Sequence, residues 1–232
     1  MSRNATKDLT TGSPMKLILG FGIPLLFGML FQQFYNMMDT IIVGKFLGVS
    51  ALASVGATGS INFMIIGFCM GVCNGFAIPV AQRFGAKDEH GMRKFVANSV
   101  WLSIIFAVVM AVLVCVFCRQ ILALMNTPED IIDGSYSYIF VIFLGIPATY
   151  MYNLLSGIMR SLGDSKTPLY LLIFSSILNI VMDLWMVAGL GLGVFGAALA
   201  TLIAQGISAV FSLLIFFYRM RRYKSAFAWF DG

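Results

Sequence analysis

Residues 95–118 read FVANSVWLSIIFAVVMAVLVCVFC, a run without a single Asp, Glu, Lys or Arg. Such a run exceeds the roughly 18 apolar residues that mark a bilayer-spanning helix. Further apolar runs extend over about Leu17 to Val43, Ala51 to Val80, Ile131 to Ser156, Leu169 to Ala188 and Gly196 to Tyr218, so six spans are expected. Turn and charge signals separate them at Gly44 to Gly48, Gln82 to Lys94, Arg119 to Asp130, Gly157 to Pro168 and Gly189 to Gly196. Some runs are longer than the roughly 20 residues a bilayer needs, and tilt or extension into the interface is expected there.

Composition agrees. Of the 232 residues 59% are hydrophobic and 11% charged, against about 25% charged in soluble domains. A disordered or nucleic-acid-binding chain is excluded, because the net charge of +5 is dispersed over separate loops. Six spans return both termini to one side. Thirteen of the 15 Lys and Arg fall in the two tails and the two loops on that side, and only Lys45 and Arg119 fall opposite. This asymmetry predicts cytoplasmic termini. The expected organisation is a tail at 1–16, a transmembrane bundle at 17–218 and a second tail at 219–232. The first apolar run is too long for a signal-peptide core and is read as a span.

The four cysteines, Cys69, Cys73, Cys115 and Cys118, lie in apolar runs and read as packing residues; the single histidine, His90, lies in a hydrophilic loop. No disulfide framework or metal cage follows. Pro24, Pro79 and Pro147 fall inside spans, where bends are expected. Gly67, Gly71 and Gly75 are four apart, a spacing suited to close helix approach.

Two carboxylates are bedded in apolar helix, Asp39 after Met37-Met38 and Asp183 after Ile180-Val181-Met182. A charge in such a place is costly and points to function. Counting from the expected span starts, Asp39 lies roughly 33 Å and Asp183 roughly 21 Å up from the cytoplasmic side. Thr201 and Tyr138, on helices running the other way, reach a similar level in the outer half. Asn179 and Asp183 share a helix face, as do Tyr35 and Asp39, and Gln32, Asn36 and Asp39 form a polar stripe. Gln32, Tyr35, Asn36 and Asn153 are candidate cavity-lining residues. Two neighbouring carboxylates in a poorly solvated cavity do not both ionise freely unless a cation neutralises them. Oxygen donors of this kind also suit a hard cation such as Na⁺.

The sequence resembles the N-terminal half of a multidrug and toxic compound extrusion (MATE) transporter. The resemblance is carried by Gly22-Ile23-Pro24, Met38-Asp39-Thr40-Ile41-Ile42-Val43-Gly44, Pro79-Val80-Ala81-Gln82-Arg83-Phe84-Gly85-Ala86, Gly157-Ile158-Met159-Arg160-Ser161-Leu162-Gly163-Asp164, Asn179-Ile180-Val181-Met182-Asp183 and Gly193-Val194-Phe195-Gly196-Ala197-Ala198. It implies an all-α membrane protein in which six helices form one lobe, a non-enzymatic transporter of the inner membrane. It also implies cation coupling at Asp39, Asn179, Asp183 and Thr201, with a tyrosine on the fourth span matched by Tyr138 or Tyr136, and a bend in the first span near Pro24. No cofactor is implied beyond the coupling ion, H⁺ or Na⁺. The implied substrates are drug-like organic cations and amphipathic molecules. Family members have two such lobes, so the expected partner is a second copy or a separate second lobe within the lipid bilayer. Rival readings are a non-transporting half-protein or subunit, a lipid-linked oligosaccharide flippase of the same superfamily, and an intramembrane aspartyl protease. The flippase reading lacks mid-span basic residues, and the protease reading lacks the flanks of its two aspartates.

Overall fold

The structure is a computed structural model that describes residues 12–220, with side chains to residue 218. The tail residues 1–11 and 221–232, including Arg3, Lys7, Arg221, Arg222 and Lys224, lie outside the described residues. The described residues form helices and turns, in the order α1 (Pro14–Leu47), α2 (Val49–Gly85), α3 (Glu89–Val116), α4 (Cys118–Leu124), α5 (Ile132–Leu144), α6 (Ile146–Ser161), α7 (Lys166–Asp183), a π-helical turn (Leu184–Gly189) and α8 (Gly193–Met220). Five of these helices are long and apolar enough to cross a membrane. A sixth span results when α5 and α6, bent by 46°, are taken as one.

Several expected boundaries shift. The helical bundle begins at Pro14 and runs to Met220, beyond the expected 17–218. The expected loop after Cys118 contains the short helix α4. Gly157 to Pro168 is largely not a loop: α6 continues to Ser161, and residues 162–165 are buried. The reason is packing, since Gly157 lies against Ala77 of α2 and Ser161 Oγ donates to the Ala77 carbonyl at 2.8 Å. Arg160 therefore sits inside the last turn of α6.

The three span prolines behave differently. Pro147 falls in the first turn of α6, where its missing N–H costs nothing, and the chain breaks at Gly145 just before it. Pro24 and Pro79 sit inside continuous helices. Between α1 and α2 a single residue turns the chain, Gly48 at φ 84°, a conformation that disfavours any side chain. Outside the bilayer, Asp88 caps α3 by accepting from the Gly91 N–H at 2.8 Å. That hydrogen bond, with Arg83 beside it at 3.0 Å, holds the carboxyl below its usual range.

Packing follows the logic of lipid. α3 turns its small residues Ser99, Ser103, Ala107 and Ala111 inward and exposes Trp101, Leu102, Ile105 and Val112. A main core joins α2, α3, α4, α5 and α6 with Phe216 of α8; a second joins α1, α5, α8 and the π turn; a third, built on Tyr152, Met159, Leu171 and Ala209, joins α6, α7 and α8. All four cysteines are free thiols on helices. The glycine row on α2 does not serve close approach within the chain. Gly67, Gly71 and Gly75 are exposed, and a Cβ at any of them would meet no atom within 4 Å.

Candidate functional site

The site is assembled by three local decisions. Gly193, at φ 62°, starts α8 after a short turn. Gly196 then lets α8 press on the π turn, since a Cβ there would lie 3.2 Å from the Met186 carbonyl oxygen. Ala197, Ala198 and Ala200, each 0% exposed, keep that approach close, and it carries Thr201 to the end of α7, where Asn179 and Asp183 share a face. α1 supplies the third wall with Tyr35 and Asp39, which are four residues apart, and α5 supplies Tyr138.

These residues meet. Asn179 and Asp183 are 1% and 0% exposed. With the Asn179 amide oriented so that both ends find partners, its Nδ2 donates to Asp183 Oδ2 at 2.8 Å and its Oδ1 accepts from Thr201 Oγ1 at 3.1 Å. The Tyr35 phenol donates to Thr201 Oγ1 at 3.3 Å, and the Tyr138 phenol to Asp39 Oδ2 at 3.5 Å. The Asp39 and Asp183 carboxyls lie within hydrogen-bonding reach of each other. Asp39 Oδ1 and Asp183 Oδ1 remain buried without a partner. Two carboxyls so placed require a shared proton or a cation between them. The donor set, two carboxyls with an amide oxygen and a hydroxyl, fits H⁺ and fits Na⁺ as a hard cation.

Asp39, Asn179, Asp183, Thr201 and Tyr138 are thus brought together. Tyr35, expected only as cavity lining, is part of the same network. Tyr136 is not: its ring stacks on Phe140 at 5.4 Å beneath the Arg119 guanidinium at 5.8 Å. Asn36 is exposed and donates to Gln33 Oε1 at 3.4 Å, pointing away from the cluster. Gln32 is half-buried. Asn153 lines a separate small cavity with Cys69, Cys73 and Tyr150, and its amide donates to the Thr149 carbonyl at 2.8 Å. The π turn directly after Asp183 had no sequence signal, although such turns often occur at functional sites.

The MatE family model matches residues 24–185, which contain both carboxylates. The chain belongs to the MATE family. It is 33% identical over 211 residues to the probable multidrug resistance protein YoeA of Bacillus subtilis strain 168, covering 89% of this chain and 45% of that protein. A crystal structure of a MATE in the straight conformation matches with a TM-score of 0.86 at 28% identity, covering 95% of this chain and 48% of the other. One of a MATE in the bent conformation matches with a TM-score of 0.81 at 31% identity, covering 87% and 45%. The chain spans about half the length of the relatives it matches. Like the MATE multidrug transporters of the bacterial inner membrane, it is a multi-pass membrane protein.

Proposed function

We propose that this chain forms one lobe of a secondary multidrug exporter, moving organic cations or amphipathic drugs outward in exchange for H⁺ or Na⁺. The observation that carries the reading is the Asp39–Asp183 pair: two buried carboxyls from different helices, each with one oxygen unpartnered and the other held by a neighbour. A proton or Na⁺ arriving there neutralises a charge that the interior otherwise penalises. Asn179, Thr201, Tyr35 and Tyr138 hold the pair in register, so the occupied and empty states differ in how α1 meets α5, α7 and α8. A bend of α1 near Pro24 is the movement that follows, in keeping with the bent and straight forms of similar proteins. The termini are placed in the cytoplasm by the basic residues. A second lobe, either another copy in parallel or a separate chain, completes the drug cavity. The exposed polar edge of α1, with Gln33, Asn36 and Thr40, favours this, since it would otherwise face lipid.

The test is gradient-driven efflux from proteoliposomes whose protein mass is determined in nanodiscs. Asp183→Asn keeps size and hydrogen bonding but removes the ionisable group, and Asp39→Asn does the same on α1. Each should fold and lose gradient-driven efflux, and the double variant should be little worse, because groups acting as one site are non-additive. Parental efflux from Asp183→Asn with unchanged pH and Na⁺ dependence would make the pair structural. Efflux by a protein found only as a monomer would remove the second lobe.

A further inference from the structure

α8 carries polar groups that the Asp39–Asp183 cluster does not use. Gln205, Ser208 and Ser212 follow Thr201 at steps of four, three and four residues, so all four share one helix face. Ser208 and Ser212 are 0% exposed, and neither hydroxyl has a hydrogen-bond partner in the protein; Gln205 Oε1 is likewise buried and unpartnered. Helical hydroxyls usually escape this by donating to a carbonyl one turn back. Ser54, Thr58 and Ser176 do so here. Ser208 and Ser212 do not.

A matching group faces them. On α6, Ser156 is 2% exposed, and its hydroxyl has no partner but the Tyr152 phenol beside it. Tyr152 and Met159 of α6 pack with Ala209 of α8 and Leu171 of α7. Ser156, four residues after Tyr152 and three before Met159, lies on that same α6 face, opposite the turn that holds Ser208 and Ser212. One turn beyond Ser156, in the last turn of α6, is Arg160, which has no ion-pair partner among the described residues.

The spacing suits water. Steps of three and four residues separate successive groups by about 4.5 and 6 Å along the axis. One water molecule making two hydrogen bonds of about 2.8 Å bridges the shorter gap, and two water molecules bridge the longer. Each serine offers a donor and an acceptor, and the small side chain of Ala204 stands beside them. We propose that Gln205, Ser208, Ser212 and Ser156 hold a file of water molecules from Thr201 to the Arg160 end of the lobe, along which the coupling ion passes to and from Asp39 and Asp183. The role as an ion route rests on the reading of that pair as a coupling site; the hydration does not.

Cysteine labelling in membranes tests it. Ser208→Cys and Ser212→Cys are nearly isosteric changes, made with Cys69, Cys73, Cys115 and Cys118 each replaced by Ala. The reacting species is the thiolate, which forms only where it is solvated, so both positions should react with a small water-soluble methanethiosulfonate about tenfold faster than Ala209→Cys on the packed face. Should the cysteine-free chain not fold, mass mapping of labelled peptides with the native cysteines retained makes the same comparison. Rates equal to that of Ala209→Cys overturn the file. Fast labelling combined with parental efflux from Asp183→Asn leaves the file standing but overturns its role as the ion route.

Discussion

Replacing Thr201 by Val keeps the shape of the side chain and deletes the atom on which α1 and α7 converge. Thr201 Oγ1 receives the Tyr35 phenol at 3.3 Å and lies 3.1 Å from the Asn179 amide. Interhelical hydrogen bonds in membranes average about 0.6 kcal/mol, so the two together are worth about 1.2 kcal/mol. Tyr35 is 8% exposed, and its hydroxyl then keeps no partner; leaving it orphaned adds about 1 kcal/mol, the low end for a buried polar group. The expected loss is therefore about 2 kcal/mol, while Thr201→Ser, which loses only a methyl group, should cost about 0.8 kcal/mol or less. The assay is reversible unfolding in mixed micelles by SDS titration. Tyr35→Phe made on top of Thr201→Val should cost about 1.6 kcal/mol less than it does alone, because the bond of about 0.6 kcal/mol is already gone and the orphaned hydroxyl, about 1 kcal/mol, is removed with it. If Thr201→Val unfolds within about 0.3 kcal/mol of the parent, or the two changes add strictly, the network does not hold α1 to α8 in the way the distances imply.

The remaining predictions concern topology and movement. A reporter active only in the cytoplasm should give signal when fused after Gly232 and none after Asn126; the opposite pattern would reverse the orientation drawn from Lys and Arg. Pro24→Ala restores the N–H that the Gly20 carbonyl lacks, and an interior proline costs a helix about 3 kcal/mol. The variant should be more stable and slower in efflux, with a narrower distance distribution between spin labels on either side of residue 24. Efflux at the parental rate would rule out bending there.

The helices were legible because charge is so scarce that each break in the apolar pattern marks a boundary. What misled was glycine. Gly157 stands beside Arg160 and Asp164 and reads as a turn, yet the structure uses it to admit Ala77 of α2, and the helix runs on. The site was legible in part, since spacing puts Asn179 with Asp183 and Tyr35 with Asp39 whatever the tertiary fold. Spacing does not say which side of a helix meets a neighbour. Asn36, within the same polar stripe as Asp39, turns outward to Gln33, and Asn153 bonds within its own turn beside another cavity. The π turn was not legible at all. It depends on how closely Gly196 lets α8 approach Met186, which is a property of two segments together.

On the proposed reading, a change at one carboxyl reaches α1 through the residues that anchor it. In α1 the buried residues are Tyr35, Asp39, Ile42 and Val43, and nothing before Tyr35 is buried. The burial of α1 is therefore concentrated at one end, and two of the four buried residues are polar groups bonded to other helices: Tyr35 to α8, and Asp39 to α5, beside Asp183 of α7. Ile42 and Val43 pack whatever the state of the pair, since apolar contact is indifferent to protons and cations. Tyr35 and Asp39 are not indifferent, because their bonds depend on how the charge at Asp39 and Asp183 is compensated. Below the anchor, Pro24 removes a backbone hydrogen bond in a half-buried stretch of helix that rests on Leu169 and Leu172 of α7 near Gly28. On the proposed reading, a helix held by a charge-sensitive clamp above and weakened by a proline below would convert occupancy of the clamp into a change of shape.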